Sequence, residues 1–312
     1  MQAKPLPKVI ATSVIRSVSQ GQSHGGVYLV DLETNEITQV VDWNTTSINW
    51  EGRGLDRGLR GIAFFHGNTY IAASDEIFVF DKNFKIVKSF RNPYLKHCHE
   101  ISIAGTSLFL TSTGFDSVLI FDLAQERFVR GYCIRPSAMT GRLGLATFNP
   151  EQPGGPLPAD TIHINNAVYD GKKIIVCGTG LQNLLYIEDN KLIPGPPVPK
   201  GTHNTFLYNG FILVNHTEAD CIAYFDLHGK MLQSVPVPHY AENELSMSNI
   251  PKDHARQAFG RGLCVTREGI VIGGSSPSTI TVYDLESEKI IKSLNLTMDV
   301  RNSIHGLEIW PF

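Results

Sequence analysis

The chain has 312 residues, of which 42% are apolar and 18% charged, and its formal net charge is −3. That balance gives no electrostatic case for nucleic acid or an anionic membrane surface, and no apolar run reaches the length of a membrane span. The opening stretch MQAKPLPKVIATSVIRS has no continuous apolar core, so no signal peptide is expected. The five cysteines, Cys98, Cys133, Cys177, Cys221 and Cys264, lack CxxC spacing and read as reduced core thiols of a cytoplasmic protein.

In chain order, the first repeat offers three strands, near 8–14, 25–31 and 36–42, followed by a long connection over 43–59. Five fuller units follow, starting near Arg60, His99, Asn165, His203 and Arg261. Each opens with a strand a that ends at Gly or a turn (RGIAFFHG, HEISIAG, NNAVYDG, HNTFLYNG, RGLCVTREG) and continues with an apolar strand b (TYIAAS, LFLTST, IIVCGT, ILVNHT, IVIGGS). Each then closes on a strand–turn–strand phrase built around an acid. That phrase occurs six times along the chain, as VYLVDLETNEI, IFVFDKNFKI, VLIFDLAQERF, LLYIEDNKL, IAYFDLHGKM and ITVYDLESEKI. Its acids, Asp31, Asp81, Asp122, Glu188, Asp226 and Asp284, read as turn formers and not as catalysts. Two more long connections span 133–162 and 237–260. The first is rich in Pro and Gly, and no strand is expected in it. The final segment HGLEIWPF, 305–312, supplies the strand a that the first repeat lacks. The pattern predicts an all-β fold, a six-bladed β-propeller forming a single domain over 1–312, with the ring closed by the C-terminal strand pairing into the N-terminal blade. Closure removes exposed sheet edges.

Aligning the starts of the a strands gives a row of polar residues: His305, Arg60, His99, Asn165, His203 and Arg261. The three histidines fall on alternate blades. Imidazoles converging from three directions on a propeller axis would make a three-His metal site with open coordination positions. His99, His203 and His305 are therefore the expected ligands of a divalent metal, zinc or alternatively iron, with His97, His163 and His216 as secondary candidates. Glu100 and Glu308 are placed to orient the imidazoles. Arg60 and Arg261 suit the grip on an anionic substrate group and catalysis upon it. Asn165 and Asn204 are further substrate-binding candidates. Whether His163 or Asn165 faces the axis is left open by the sequence. His24, His66, His228, His239 and His254 fall in turns or loops and carry no expected role. No GxSxG elbow, P-loop, HExxH or dinucleotide fingerprint is present.

Three axial histidines with arginines nearby resemble the peptidylglycine α-hydroxyglycine amidating lyase domain. The resemblance implies a zinc lyase, with His99, His203 and His305 matching the metal ligands and Arg60 or Arg261 the catalytic arginine. The tyrosine of that family has no assigned counterpart. The segments HCHEIS, HINNA, THNTFLYNGFILVNHTEA and GRGLCV are also similar to an uncharacterised group of bacterial His-rich propeller proteins. The gluconolactonase-like propellers use carboxylates and Asn around calcium, and the His-rich row departs from that pattern.

The expectation is a metal-dependent lyase or hydrolase that acts on a small polar, anionic molecule. The alternatives are a non-haem iron oxygenase at the same site, or a non-catalytic propeller that binds a ligand or a protein.

Overall fold

The structure is a computed structural model that describes residues 5–19, 21–44, 58–137, 139–252, 255–285 and 287–312. Most of the connection 43–59 lies outside the described residues, as does His254. The first sheet contains β1 (Lys8–Ile15), β2 (Gly26–Asp31) and β3 (Ile37–Asp42). The second contains β4 (Ile62–Phe65), β5 (Asn68–Ala73), β6 (Glu76–Phe80) and β7 (Ile86–Arg91). The third has β8 (Ile101–Ala104), β9 (Ser107–Ser112), β10 (Ser117–Asp122), β11 (Arg127–Pro136) and β12 (Leu143–Phe148). The fourth has β13 (Ile164–Tyr169), β14 (Ile174–Gly178), β15 (Asn183–Glu188) and β16 (Lys191–Pro197). The fifth has β17 (Thr202–Tyr208), β18 (Phe211–His216), β19 (Cys221–Asp226) and β20 (Met231–Pro236). The sixth has β21 (Leu263–Val265), β22 (Val271–Ser275), β23 (Thr279–Asp284) and β24 (Lys289–Asn295). The last strand, β25 (Asn302–Ile309), returns to the first sheet in the order β25-β1-β2-β3. The fold is a six-bladed β-propeller, and β25 closes the ring by antiparallel pairing with β1, Val9 opposite Ile309 and Ala11 opposite Leu307. Among the described residues no helix is long and apolar enough to cross a membrane.

Two expectations need correction. β25 begins at Asn302, three residues before the predicted start, so His305 lies inside the strand. The connection 133–162 does contain a strand. β11 runs on to Pro136, and β12 pairs with it antiparallel, Cys133 opposite Ala146, as a fifth strand. The strand tolerates Gly144 opposite Arg135; Gly141 sits in the hairpin turn at φ +67°, and Pro150, Pro153, Gly154, Gly155, Pro156 and Pro158 come after Phe148. Gly131 makes room for the strand, because a Cβ there would meet the Phe148 ring at 2.2 Å.

The acid-centred turns behave as the sequence suggests. Asp31 Oδ1 accepts from the N–H groups of Glu33 and Thr34. Asp81, Asp122 and Asp226 accept in the same way from residues two to four positions later. These bonds close the turn between the two outer strands and hold the carboxyls of Asp31, Asp122 and Asp226 below the usual carboxylate range.

Chain contacts divide the molecule into two compact units, Met1–Arg60 with Thr205–Phe312 and Gly61–Asn204. In the 61–204 unit one apolar cluster joins the second and third sheets (Ile77, Val79, Leu108, Leu119, Phe121), with Phe90 stacked on Phe121 at 4.3 Å. In the other unit a cluster joins the sixth sheet to the first (Val9, Ala11, Ile272, Val282, Ile304, Leu307). Each fully buried aliphatic or aromatic side chain of this kind contributes about 1.5–3 kcal/mol relative to exposure. All five cysteines are unpaired by disulfide, and burial pushes the Cys264 thiol well up.

Candidate functional site

The 61–204 unit gathers His99, His163 and His203 at the starts of its inner strands. The His99 ring centre lies 5.1 Å from that of His163 and 5.4 Å from that of His203, both edge-on. His99 and His203 are buried, and His163 is half-buried. The Nδ1 atom of each ring faces an oxygen. His99 Nδ1 lies 2.8 Å from the His97 carbonyl and 2.9 Å from Thr113 Oγ1. The Thr113 hydroxyl donates its own proton to the Ile164 carbonyl, so it too accepts from His99. His163 Nδ1 lies 3.0 Å from an Asp160 carboxylate oxygen, and His203 Nδ1 lies 3.2 Å from Asn204 Oδ1. Those oxygens each accept an Nδ1–H, which fixes the orientation of all three rings.

The backbone here is bent to make the cluster. His97, His163 and Asn204 all have φ between 51° and 54°, a left-handed conformation that non-glycine residues seldom adopt. Consecutive inner strands are stitched start to start: the Gly61 N–H donates to the His99 carbonyl at 2.9 Å, and the Glu100 N–H to the Asn165 carbonyl at 3.2 Å. A Cβ on Gly61 would come within 2.6 Å of that His99 oxygen. The glycine beside the predicted arginine therefore serves a close approach of backbone to backbone.

Asn204 links two of the predicted residues. Its Nδ2 donates to Glu100 Oε1 at 3.0 Å while its Oδ1 takes the His203 proton. Glu100 thus orients an imidazole through an amide, and Asn204 acts as a positioning residue. Asn165 uses both ends of its amide, donating to the Thr202 carbonyl at 3.1 Å and accepting from Cys177 Sγ at 3.2 Å. Tyr94 uses its phenol to hold the segment after β12, donating to Gln152 O and accepting from Gly155 N–H.

The other unit is cationic. Arg261 packs on the Phe259 ring, its guanidinium carbon 4.5 Å from the ring centre. It also donates from Nη1 to Nε2 of His305. The same Nη1 lies 3.4 Å from Nδ1 of that ring, so the guanidinium rests against the imidazole. Arg60 is buried, and its carbonyl accepts from the Thr12 hydroxyl at 2.6 Å, while Gly306 N–H donates to the same hydroxyl at 2.8 Å. Glu308 lies near Cys264, whose thiol it helps to push up after burial itself. His216 ends β18 opposite Cys221.

Arg261 also lines a cavity of about 300 Å³. Sequence reasoning missed the rest of its cationic wall: Arg16 beyond β1, Lys252 and Arg256 in the connection before β21, and Arg301 in the turn before β25. Only the crowding of basic residues at 252, 256 and 261 could have signalled it. Arg256 is held from behind by Asp220 at 2.6 Å, and Arg301 by Asp299 at 2.7 Å.

Among the described residues no group of three or more His, Cys, Asp or Glu side chains is placed to hold a metal ion.

No family model matches the sequence, and no curated protein matches it significantly. Solved structures do match. A protein of unknown function from Bacteroides caccae superposes with a TM-score of 0.61 at 11% identity, over 97% of this chain and 98% of that one. A streptogramin B lyase gives 0.51 at 11% identity, over 82% and 94%. The computationally designed protein Ika8 gives 0.51 at 8% identity, over 96% and 91%. At these identities the likeness is one of architecture, and it places the chain among the β-propeller proteins.

Proposed function

We propose that this chain is an enzyme of the lyase or hydrolase class acting on a small anionic molecule at the cationic pocket of Arg261. One observation carries the reading: a single guanidinium both lines the pocket and rests against the His305 imidazole. A carboxylate or phosphate entering the pocket competes for the same N–H groups, and hydrogen bonds to an anion are roughly twice as strong as neutral ones. As Arg261 turns to the anion, His305 Nε2 is released as a proton acceptor. In an elimination it would take a proton from carbon. The C–H electron pair would become the new double bond, and the leaving group would depart with its own bonding pair. The guanidinium would offset the charge that develops on the substrate. A streptogramin B lyase shares the fold, which is compatible with lyase chemistry and brings no substrate across.

A second reading is favoured by the paired imidazoles of the 61–204 unit. Two imidazoles on one ion at the usual Zn–N distance of about 2.0–2.1 Å put their ring centres about 5 Å apart. The 5.4 Å between His99 and His203 suits that, as does the Nδ1–H form of both rings. Zinc or iron there would be a two-histidine centre, with His163 beside it and His305 in other use.

The test is incubation of untagged protein with a mixture of small carboxylates and phosphate esters. Consumption is followed by mass spectrometry, and metal content is measured on the same sample. Arg261→Ala should abolish consumption. Binding of an anion without turnover would replace the enzyme by a ligand-binding propeller, and a stoichiometric metal would establish the second reading.

A further inference from the structure

We infer that the anion taken by this pocket is the phosphate group of a small phosphomonoester, gripped by Arg16 and Arg256 together with Arg261. The inference rests on the anion-binding reading above and narrows it. Three guanidiniums surround one aromatic ring: Arg16, Arg256 and Arg261 lie 5.8, 4.9 and 4.5 Å from the Phe259 ring centre. Arg16 follows β1, while Arg256 and Arg261 share the connection before β21, and Lys252 and Arg301 also line the cavity. Among the described residues no carboxylate lines the cavity; Asp220 and Asp299 stand behind Arg256 and Arg301 and aim them. Five cationic side chains lining one cavity give it a positive potential that favours an anion.

The lining hydroxyls sharpen the chemistry. Ser276 Oγ donates to the Val300 carbonyl and Ser303 Oγ to the Ile304 carbonyl, so both protons are used within the wall. The other polar side chains of the lining are cationic, which suits a ligand end that only accepts; Arg256 also holds the Gln257 and Thr217 carbonyls. A monocarboxylate brings one charge and two oxygens, enough for one bidentate arginine. A phosphomonoester brings about −1.5 to −2 charges and three acceptor oxygens on one atom, which suits a cavity lined by three guanidiniums around one ring and two further cations. The cavity, about 300 Å³, is at the lower end of the roughly 300–1,000 Å³ common for ligand sites, so the rest of the molecule is small.

The experiment is titration calorimetry on the full chain with glycerol 3-phosphate, inorganic phosphate and malate, repeated with Arg16→Gln and Arg256→Gln after circular dichroism and melting checks. Glycerol 3-phosphate should bind one per chain, with malate at least about 10-fold weaker. Each Gln variant should lose roughly 10-fold or more, the usual consequence of removing a charged hydrogen-bond donor. If Arg256→Gln fails to fold, Arg16→Gln carries the test. Malate binding as tightly as the ester, and equally sensitive to the variants, overturns the phosphate assignment and leaves the anion pocket standing. Inorganic phosphate binding as tightly as the ester makes free phosphate the ligand and overturns the ester assignment. Ester binding unchanged in the folded variants places the site elsewhere and refutes the inference. No anion bound at all sinks both readings.

Discussion

The two units use the same position, the start of an inner strand, for opposite electrostatic purposes. In the 61–204 unit that position carries His99, Asn165 and His203. Their N–H groups are held by carbonyl, amide and hydroxyl oxygens. In the other unit it carries Arg60, Arg261 and His305, and the histidine lies against an arginine's guanidinium. The first arrangement orients imidazoles through their neighbours. The second concentrates positive charge around an aromatic ring. Position in a repeat decides where a side chain stands; its hydrogen-bond partners decide what it can do.

The hardest way to break the cationic side is to remove 302–312. That deletes β25, the inner partner of β1, together with His305. The expected outcome is loss of a cooperative melting transition and of anion binding. A truncated chain that melts like the parent would refute closure by this pairing.

A smaller and more specific change is Arg261→Lys. It keeps the charge but loses the planar fork, so anion affinity should fall about 10-fold or more while the far-ultraviolet spectrum stays the same. Equal affinity in the two proteins would remove Arg261 from the grip.

On the imidazole side, Asn204→Ala takes away both the acceptor of the His203 proton and the donor to Glu100. Leaving buried groups unmatched costs about 1–3 kcal/mol each. Glu100→Gln should cost less, since its amide oxygen still accepts. Denaturant unfolding of both variants measures the difference, and an Asn204→Ala protein as stable as the parent would show that the relay contributes nothing. Nitrogen NMR of the three imidazoles should report the Nδ1–H form in each.

The smallest effect is that of acid. Asp31, Asp122 and Asp226 have lowered folded-state values, chiefly through backbone N–H bonds. Their contribution is therefore present above the unfolded value of about 3.9 and lost as pH falls through the lower folded values. Melting followed from pH 6 to pH 2 should show a decline below about pH 4, made shallower by Asp122→Asn.

The blades were legible because their signals are local. An apolar run, an acid in the turn and a second run lie within a dozen residues, and each Asx bond forms inside its own turn. The β12 strand was not, because LGLATF sits between segments whose Pro and Gly dominate any window that contains it. The row of inner-strand starts could be read by alignment, but the use of its members could not. Glu100 and Asn204 are 104 positions apart. Arg16, Arg256 and Arg301 share no periodicity and meet only through Phe259 and the turns that carry them.

The pairing of β25 with β1 also sets a timetable. The Thr12 hydroxyl and the Gly306 N–H that meet at this closure are 294 positions apart. During synthesis β1 emerges long before its partner and must wait with one edge of its ladder unmatched, a state open to wrong pairings. Contacts of such long sequence separation are slow to form because the chain between them must first be ordered. The rate-limiting event in refolding should then be this last seam. Substitutions in β25 should slow refolding of the closed form more than equally destabilising ones in the hairpin of β11 and β12.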